Sequence, residues 1–150
     1  MRAGVTLAVL LGASSPSALA ACNKAITVAE TQQMDYSTIV VTSGGGTVTM
    51  AANGTVTVPG GFSLMGLPAA GSFHVTGTNN CTVTISFVAG SLTGPGAAMQ
   101  IQNFTTNAGA TPTLNPAGGV LDFNVGADLV VNAGQAGGSY SGAYTVTVIY

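Results

Sequence analysis

The chain has 150 residues, 47% hydrophobic and 4% charged, with two Lys or Arg against four Asp or Glu. So few cations exclude a basic surface that could hold phosphates, and with it nucleic-acid binding; no basic amphipathic helix exists to lie on an anionic membrane. The 22 glycines and six prolines punctuate alternating apolar runs, which describes a β protein and not a flexible linker.

Read in order, the chain opens as an export signal. Met1-Arg2 is a minimal positive end, residues 3–13 are apolar, and Ser14-Ser15-Pro16-Ser17 leads into Ala18-Leu19-Ala20, an A-x-A peptidase site. Cleavage between Ala20 and Ala21 leaves residues 21–150 as one domain of about 130 residues. The apolar run is too short to span a bilayer and is set outside the fold. Leu19-Ala20-Ala21-Cys22 also fits a lipoprotein box, in which Cys22 carries a lipid anchor. The polar spacer favours ordinary cleavage, and the one other cysteine, Cys81, favours a Cys22–Cys81 disulfide in an exported protein.

The remaining chain reads as short strands. Ile26–Val28 forms the core of the first, within Ala25–Glu30, and Met34–Thr42 the second, ended by Gly44-Gly45-Gly46. Thr47–Met50 and Thr55–Val58 flank Ala51-Ala52-Asn53-Gly54, a strong hairpin signature. Ser72–Thr76, Thr82–Val88, Met99–Thr105, Val120–Val125 and Leu129–Asn132 follow, and Thr106–Gly119 reads as a long surface connection. The last stretch alternates strictly: Tyr144, Val146, Val148 and Tyr150 face one way and Ala143, Thr145, Thr147 and Ile149 the other. The first set is the larger and is predicted to face the core, with Phe73, Val83, Ile85, Phe87, Ile101, Phe104, Phe123 and Val130 as partners. No window outside the leader has a helical period, and turn residues recur at the spacing of an all-β sandwich.

Chemistry-bearing motifs are sparse. His74, the single histidine, alternates with Phe73 and Val75 and reads as a solvent-facing strand residue. No G-x-S-x-G elbow accompanies the many turn serines. Asp122, Asn124 and Asp128 approximate a calcium loop but lack its glycine and its bidentate glutamate. Asn53-Gly54-Thr55 and Asn103-Phe104-Thr105 fit a glycosylation pattern, but read more simply as turn and strand. No catalytic residue, cofactor or metal ligand is expected, and the protein reads as a non-enzyme.

The C-terminal run Tyr140-Ser141-Gly142-Ala143-Tyr144-Thr145-Val146-Thr147-Val148-Ile149-Tyr150, after a glycine-rich turn, resembles the end of spore coat U-type and related fimbrial subunits. It resembles still more a large bacterial family of unknown function. Met34-Asp35-Tyr36-Ser37 sits where those families carry hydrophobic-x-Phe-Gly, with Tyr36 for Phe and Ser37 for Gly. Ser72–Gly77 and Cys81–Ile85 are similar to their middle segment, including the second cysteine of a pair. The resemblance implies an immunoglobulin-like, pilin-type β-sandwich exported to the periplasm, cell surface or medium. It also implies a missing strand, supplied by a periplasmic chaperone at an usher and then by a neighbouring pilin-like subunit. Tyr144, Val146, Val148 and Tyr150 would line the acceptor edge. One departure stands out: after cleavage only Ala21 precedes Cys22, so a chain tied to Cys81 keeps no donor strand ahead of it, unless Ala25–Glu30 is itself the donor. The expected function is a structural or adhesive subunit of a surface fibre. The alternative is a self-contained secreted sandwich that binds a surface glycan or protein.

Overall fold

The computed structural model describes residues 2–5, 8–9, 22–42 and 44–150. All its regular elements are strands: β1 (Arg2–Val5), β2 (Ala8–Val9), β3 (Thr27–Gln32), β4 (Asp35–Val41), β5 (Gly46–Met50), β6 (Val56–Thr57), β7 (Phe62–Met65), β8 (Gly71–Thr76), β9 (Thr84–Thr93), β10 (Met99–Thr106), β11 (Val120–Val131) and β12 (Ser139–Ile149). The all-β sandwich predicted from the periodicity is thus the fold. Among the described residues no helix is long and apolar enough to cross a membrane.

Hydrogen bonding follows the order β3-β8-β11-β10-β9-β12-β1-β4-β7, with β5 on the second half of β11 and β6 on β5. Consecutive strands β3 and β4 lie far apart on this path. The chain passes between them at Gln33-Met34, and fully buried Met34 fills the crossing. The hairpin read from Asn53-Gly54 is present. β5 and β6 pair antiparallel, Gly54 takes a φ of +83°, and its N–H donates to the Ala51 carbonyl at 2.9 Å.

The inward set on β12 is as expected for Tyr144, Val146 and Val148, all buried, while Tyr150 is half-buried. Phe73, Val83, Ile85, Ile101 and Phe123 are buried with them, and Phe87 and Phe104 pack against that core from its margin. Val130 is a correction. Residues 120–125 and 129–132 belong to one continuous strand, β11, so the parity of Phe123 and Val125 carries through to Leu129 and Val131. Val130 therefore points to the other face. Strand β7, with buried Phe62, was not predicted, because Pro59-Gly60-Gly61 masks a run of only four residues.

The connection after β10 is also more than a surface loop. Leu114 is fully buried, and the N–H groups of Val83 and Ile85 donate to the carbonyls of Pro112 and Ala110 at 2.8 and 2.9 Å. This segment covers the edge that β9 would otherwise expose at its start. Two short strands lie in the segment read as a leader. Its β1 and β2 are paired members of the sheet.

Because Val146 is fully buried and Thr145 is not, Val146→Asp should unfold the domain by placing an unpaired carboxylate in the core. Thr145→Asp should change stability by about 1 kcal/mol or less. Denaturant melts of the two variants check this, and the reverse ranking would mean that β12 presents its other face.

Candidate strand-acceptor site

β12 has partners along both edges. On one side β9 runs antiparallel, from Ser141 opposite Thr93 to Ile149 opposite Thr84, with an irregularity between Ala143 and Thr145. There the two backbones approach so closely that a Cβ on Gly90 would strike the Ala143 carbonyl, and one on Gly142 the Ser91 carbonyl. Glycine is required at both places. On the other side β1 and β2 run parallel to β12, pairing Arg2 with Ser139, Val5 with Gly142, Ala8 with Thr145 and Val9 with Val146. In the whole chain residues 2–5 and 8–9 thus lie along the edge of β12 that was expected to be vacant in the processed subunit.

The far wall of this slot is β4, antiparallel to β1, with Arg2 opposite Thr38 and Gly4 opposite Asp35. Between these pairs two residues of β4, Tyr36 and Ser37, face one of β1, and the surplus is absorbed at Ser37, whose φ of +61° is left-handed. The Asp35 carboxylate accepts the Ser37 N–H at 2.7 Å, and Ser37 Oγ donates to the Met65 carbonyl at 2.9 Å. Glycine adopts such a backbone more readily than serine does. Tyr36 turns inward, fully buried, and its hydroxyl donates to the Ala127 carbonyl at 2.6 Å. Burial, and next the charge of Asp128, push the Tyr36 phenol well above its ordinary range.

Beneath the slot Tyr144 joins a line of rings across the sandwich. Phe123 stacks on Phe73 at 5.3 Å, Phe73 meets Tyr144 edge-on at 6.4 Å, Tyr144 lies 5.0 Å from Phe104, and Phe104 stacks on Phe87 at 5.3 Å. Each such contact contributes about 0.5–1.5 kcal/mol beyond area burial. Among the described residues the Tyr144 hydroxyl has no hydrogen-bond partner, and neither has buried Oε1 of Glu30 on β3. Desolvation raises the pKa of both groups, and the Glu30 carboxylate adds to the rise at Tyr144.

The end of β12 is tied to the start of the described domain. Tyr150 Oη donates to the Lys24 carbonyl at 2.7 Å and accepts the Thr78 N–H at 2.6 Å. Cys22 and Cys81 are bridged at the same end, with Cα atoms 5.8 Å apart. Closing a loop of that length restricts the unfolded chain by about 4 kcal/mol in the entropic model. Of the residues predicted to act, Tyr144, Val146 and Val148 line the core under the slot, and Tyr150 and the disulfide anchor one end. Ala20 and Ala21 lie outside the described residues. Sequence reasoning missed β4 as the second wall, although Met34–Ser37 carried the signal as a motif.

The remaining candidates lie apart from the slot. His74 and Asp122 face each other across β8 and β11, Nδ1 to Oδ1 2.6 Å, and Ser72 Oγ donates to Asn124 Oδ1 at 2.9 Å. Asp128 accepts instead from Asn103 Nδ2 at 2.9 Å. The acidic and amide groups of β11 are therefore spent on separate neighbours. Among the described residues no three His, Cys, Asp or Glu side chains come together as a metal site.

A family model described as a domain of unknown function, DUF4402, matches residues 26–150. No curated protein and no solved structure matches the chain.

The two buried tyrosines make opposite predictions. Tyr36→Phe should cost about 1–2 kcal/mol, because it leaves the Ala127 carbonyl unpaired. Tyr144→Phe should be neutral or raise the melting temperature, since its hydroxyl bonds nothing. Calorimetry of both variants decides the point. Glu30 sets a pH dependence. Its folded pKa lies above the ordinary 4.5, so the folded state holds more protons than the unfolded one between the two values. Stability should fall as pH rises through that window and then level off. Glu30→Gln should remove the slope, as unfolding curves taken from pH 4 upward would reveal.

Proposed function

The chain belongs to that family of unknown function, and from the slot beside β12 we propose that the processed protein is a non-enzymatic, exported subunit of a surface fibre, structural or adhesive in role, completed by a strand from a partner. The observation that carries this reading is that, among the described residues, β1 alone links β12 to β4 in the hydrogen-bonding order. A chain cleaved between Ala20 and Ala21 loses that link and leaves two facing strand edges over an apolar interior. Backbone bonding along such a slot gives affinity, and the alternating side chains beneath it give selectivity. The scarcity of charge fits, because neither wall carries the lysines that guard unused edges. The resemblance to fimbrial subunits identifies the partners by class as a periplasmic chaperone and usher, then neighbouring pilin-like subunits. A disulfide and the lack of a membrane-crossing helix among the described residues agree with export, and we place the protein in the periplasm or at the cell surface.

A second reading, a self-contained sandwich that binds a surface glycan, is favoured by one feature. A cavity of about 220 Å³ is lined in part by the polar side chains of Gln32, Asn53, Ser72 and Asn124. Amide and hydroxyl groups of this kind suit sugar hydroxyls.

Thermal melting of residues 21–150 separates the two readings. With N-terminal strand peptides of neighbouring secreted subunits, the fibre subunit should gain about 5 °C or more. A sharp, peptide-blind melt from a monodisperse monomer would remove the fibre reading.

A further inference from the structure

Resting on the glycan-binding reading above, we propose that the cavity beside Asn53 and Asn124 is a sugar subsite. Its ligand is one neutral hexose or N-acetylhexosamine ring of a surface glycan. No lining residue belongs to β12 or β4, so the site is independent of the strand slot and serves an adhesive fibre subunit as well as a self-contained sandwich.

One side of the cavity is a row of side chains that crosses three strands. Gln32 on β3 lies opposite Ser72 on β8, and Ser72 lies opposite Asn124 on β11. The turn Asn53-Gly54 and the segment Pro68-Ala69-Ala70 complete the lining. Both are fastened by the fold itself. Ala69 exchanges two backbone hydrogen bonds with Asp35, at 2.7 and 2.8 Å. The turn is drawn onto β11 at Gly126, where a Cβ would strike the carbonyls of Met50 and Ala51. A Cβ on Gly54 would lie 3.7 Å from the Ala70 backbone nitrogen, so turn and segment meet there. Groups held in this way lose little freedom when a ligand binds.

The polar groups are set as donors. Asn53 Oδ1 accepts the Thr55 N–H at 3.0 Å, and Asn124 Oδ1 accepts the Ser72 hydroxyl at 2.9 Å. Each amide thus has its oxygen engaged and its orientation fixed, which leaves Nδ2 as its free group among the described residues. Gln32 adds an amide that can both donate and accept. A sugar hydroxyl accepts from one such N–H while it donates to a carbonyl oxygen, a pairing that this mixture provides.

Charge and size select the class. No lining side chain is charged, so a phosphate or carboxylate finds no cation to pair with. The next row on that face joins His74 to Asp122 at 2.6 Å, and the aspartate repels an anion further. Two outward amide donors disfavour a cation. A neutral ligand rich in hydroxyls remains. The cavity, about 220 Å³, is smaller than the roughly 300–1,000 Å³ of sites for drug-sized ligands, which suits a single ring. Pro68, Ala69 and Ala70 supply an apolar patch for its C–H face. A peptide strand fits less well, because it binds through a free sheet edge and this row offers side chains.

The test uses the full chain with the Cys22–Cys81 bridge formed. It is titrated with D-glucose, D-galactose, D-mannose, N-acetyl-D-glucosamine and N-acetyl-D-galactosamine, and with inorganic phosphate and N-acetylneuraminic acid as anionic comparisons. At least one neutral sugar should shift the side-chain amide resonances of Asn53 and Asn124 saturably, with a Kd of about 1–10 mM, and neither anion should. Asn53→Asp and Asn124→Asp keep the oxygen that accepts from Thr55 or Ser72 and replace the outward donor with an acceptor. Each should weaken binding about tenfold or more, with the melting temperature unchanged to within about 2 °C. The same change at exposed Asn115, whose Oδ1 accepts the Ala117 N–H at 2.7 Å, should leave the affinity as it was. If a sugar binds but both variants bind it as well as the parent chain, the site is overturned and the glycan-binding reading stands. Competition by phosphate or N-acetylneuraminic acid at the two amides would overturn the neutral class. If no neutral sugar moves any resonance up to about 100 mM, the site and the glycan-binding reading fall together, and the fibre reading is untouched.

Discussion

The backbone of β12 presents N–H and C=O groups along two edges above an apolar interior, and each group must be bonded or wet. β9 satisfies one edge and β1 with β2 the other. The rest of the sandwich depends on that second edge. Among the described residues β4 and β7 join the hydrogen-bonded path only through β1, so the strand that completes β12 also holds the second wall in place. Side chains assist from below. The line of rings through Tyr144 packs the interior, and the Tyr36 hydroxyl crosses it to the Ala127 carbonyl. Neither contact supplies backbone partners to the slot.

A protein with so little charge must manage its sheet edges by other means. The start of β9 is covered by the segment around Leu114, whose backbone bonds to Cys81 and Val83 substitute for a neighbouring strand. Elsewhere, β7 leaves Met65 exposed, with Leu67 just beyond it and Val40 on adjoining β4. This apolar surface borders the slot on the β4 side.

Local features of the fold were legible without coordinates. Asn53-Gly54 between alternating runs specified a hairpin because only residues tolerant of positive φ suit such a turn. Strict alternation in Tyr144 to Val148 specified which face is buried, because side chains in a strand have a period of two. Val130 was misassigned because β11 was read as two strands, and parity carries over only when the strand is continuous. The left-handed backbone at Ser37 left no local signal, because serine is not a residue that favours positive φ. The unpartnered Glu30 and Tyr144 groups left no trace in the sequence, since they lie on strands distant along the chain.

By itself, then, the sequence determined the all-β class, most strand positions, the inward face of β12 and the cysteine pairing expected of an exported chain. These follow from periodicity, turn chemistry and composition, which act between neighbouring residues. The tertiary structure decided that β3 and β4 part company at Met34 and that β4 walls the slot. It also decided that β1, within the segment read as a leader, lies between β4 and β12. The pairing of β1 with β12 joins residues more than a hundred apart along the chain, and that of β1 with β4 residues more than thirty apart. A strand's own residues specify its faces but not which edge it will meet, because backbone groups are chemically alike along every strand and only the assembled sheet selects among them.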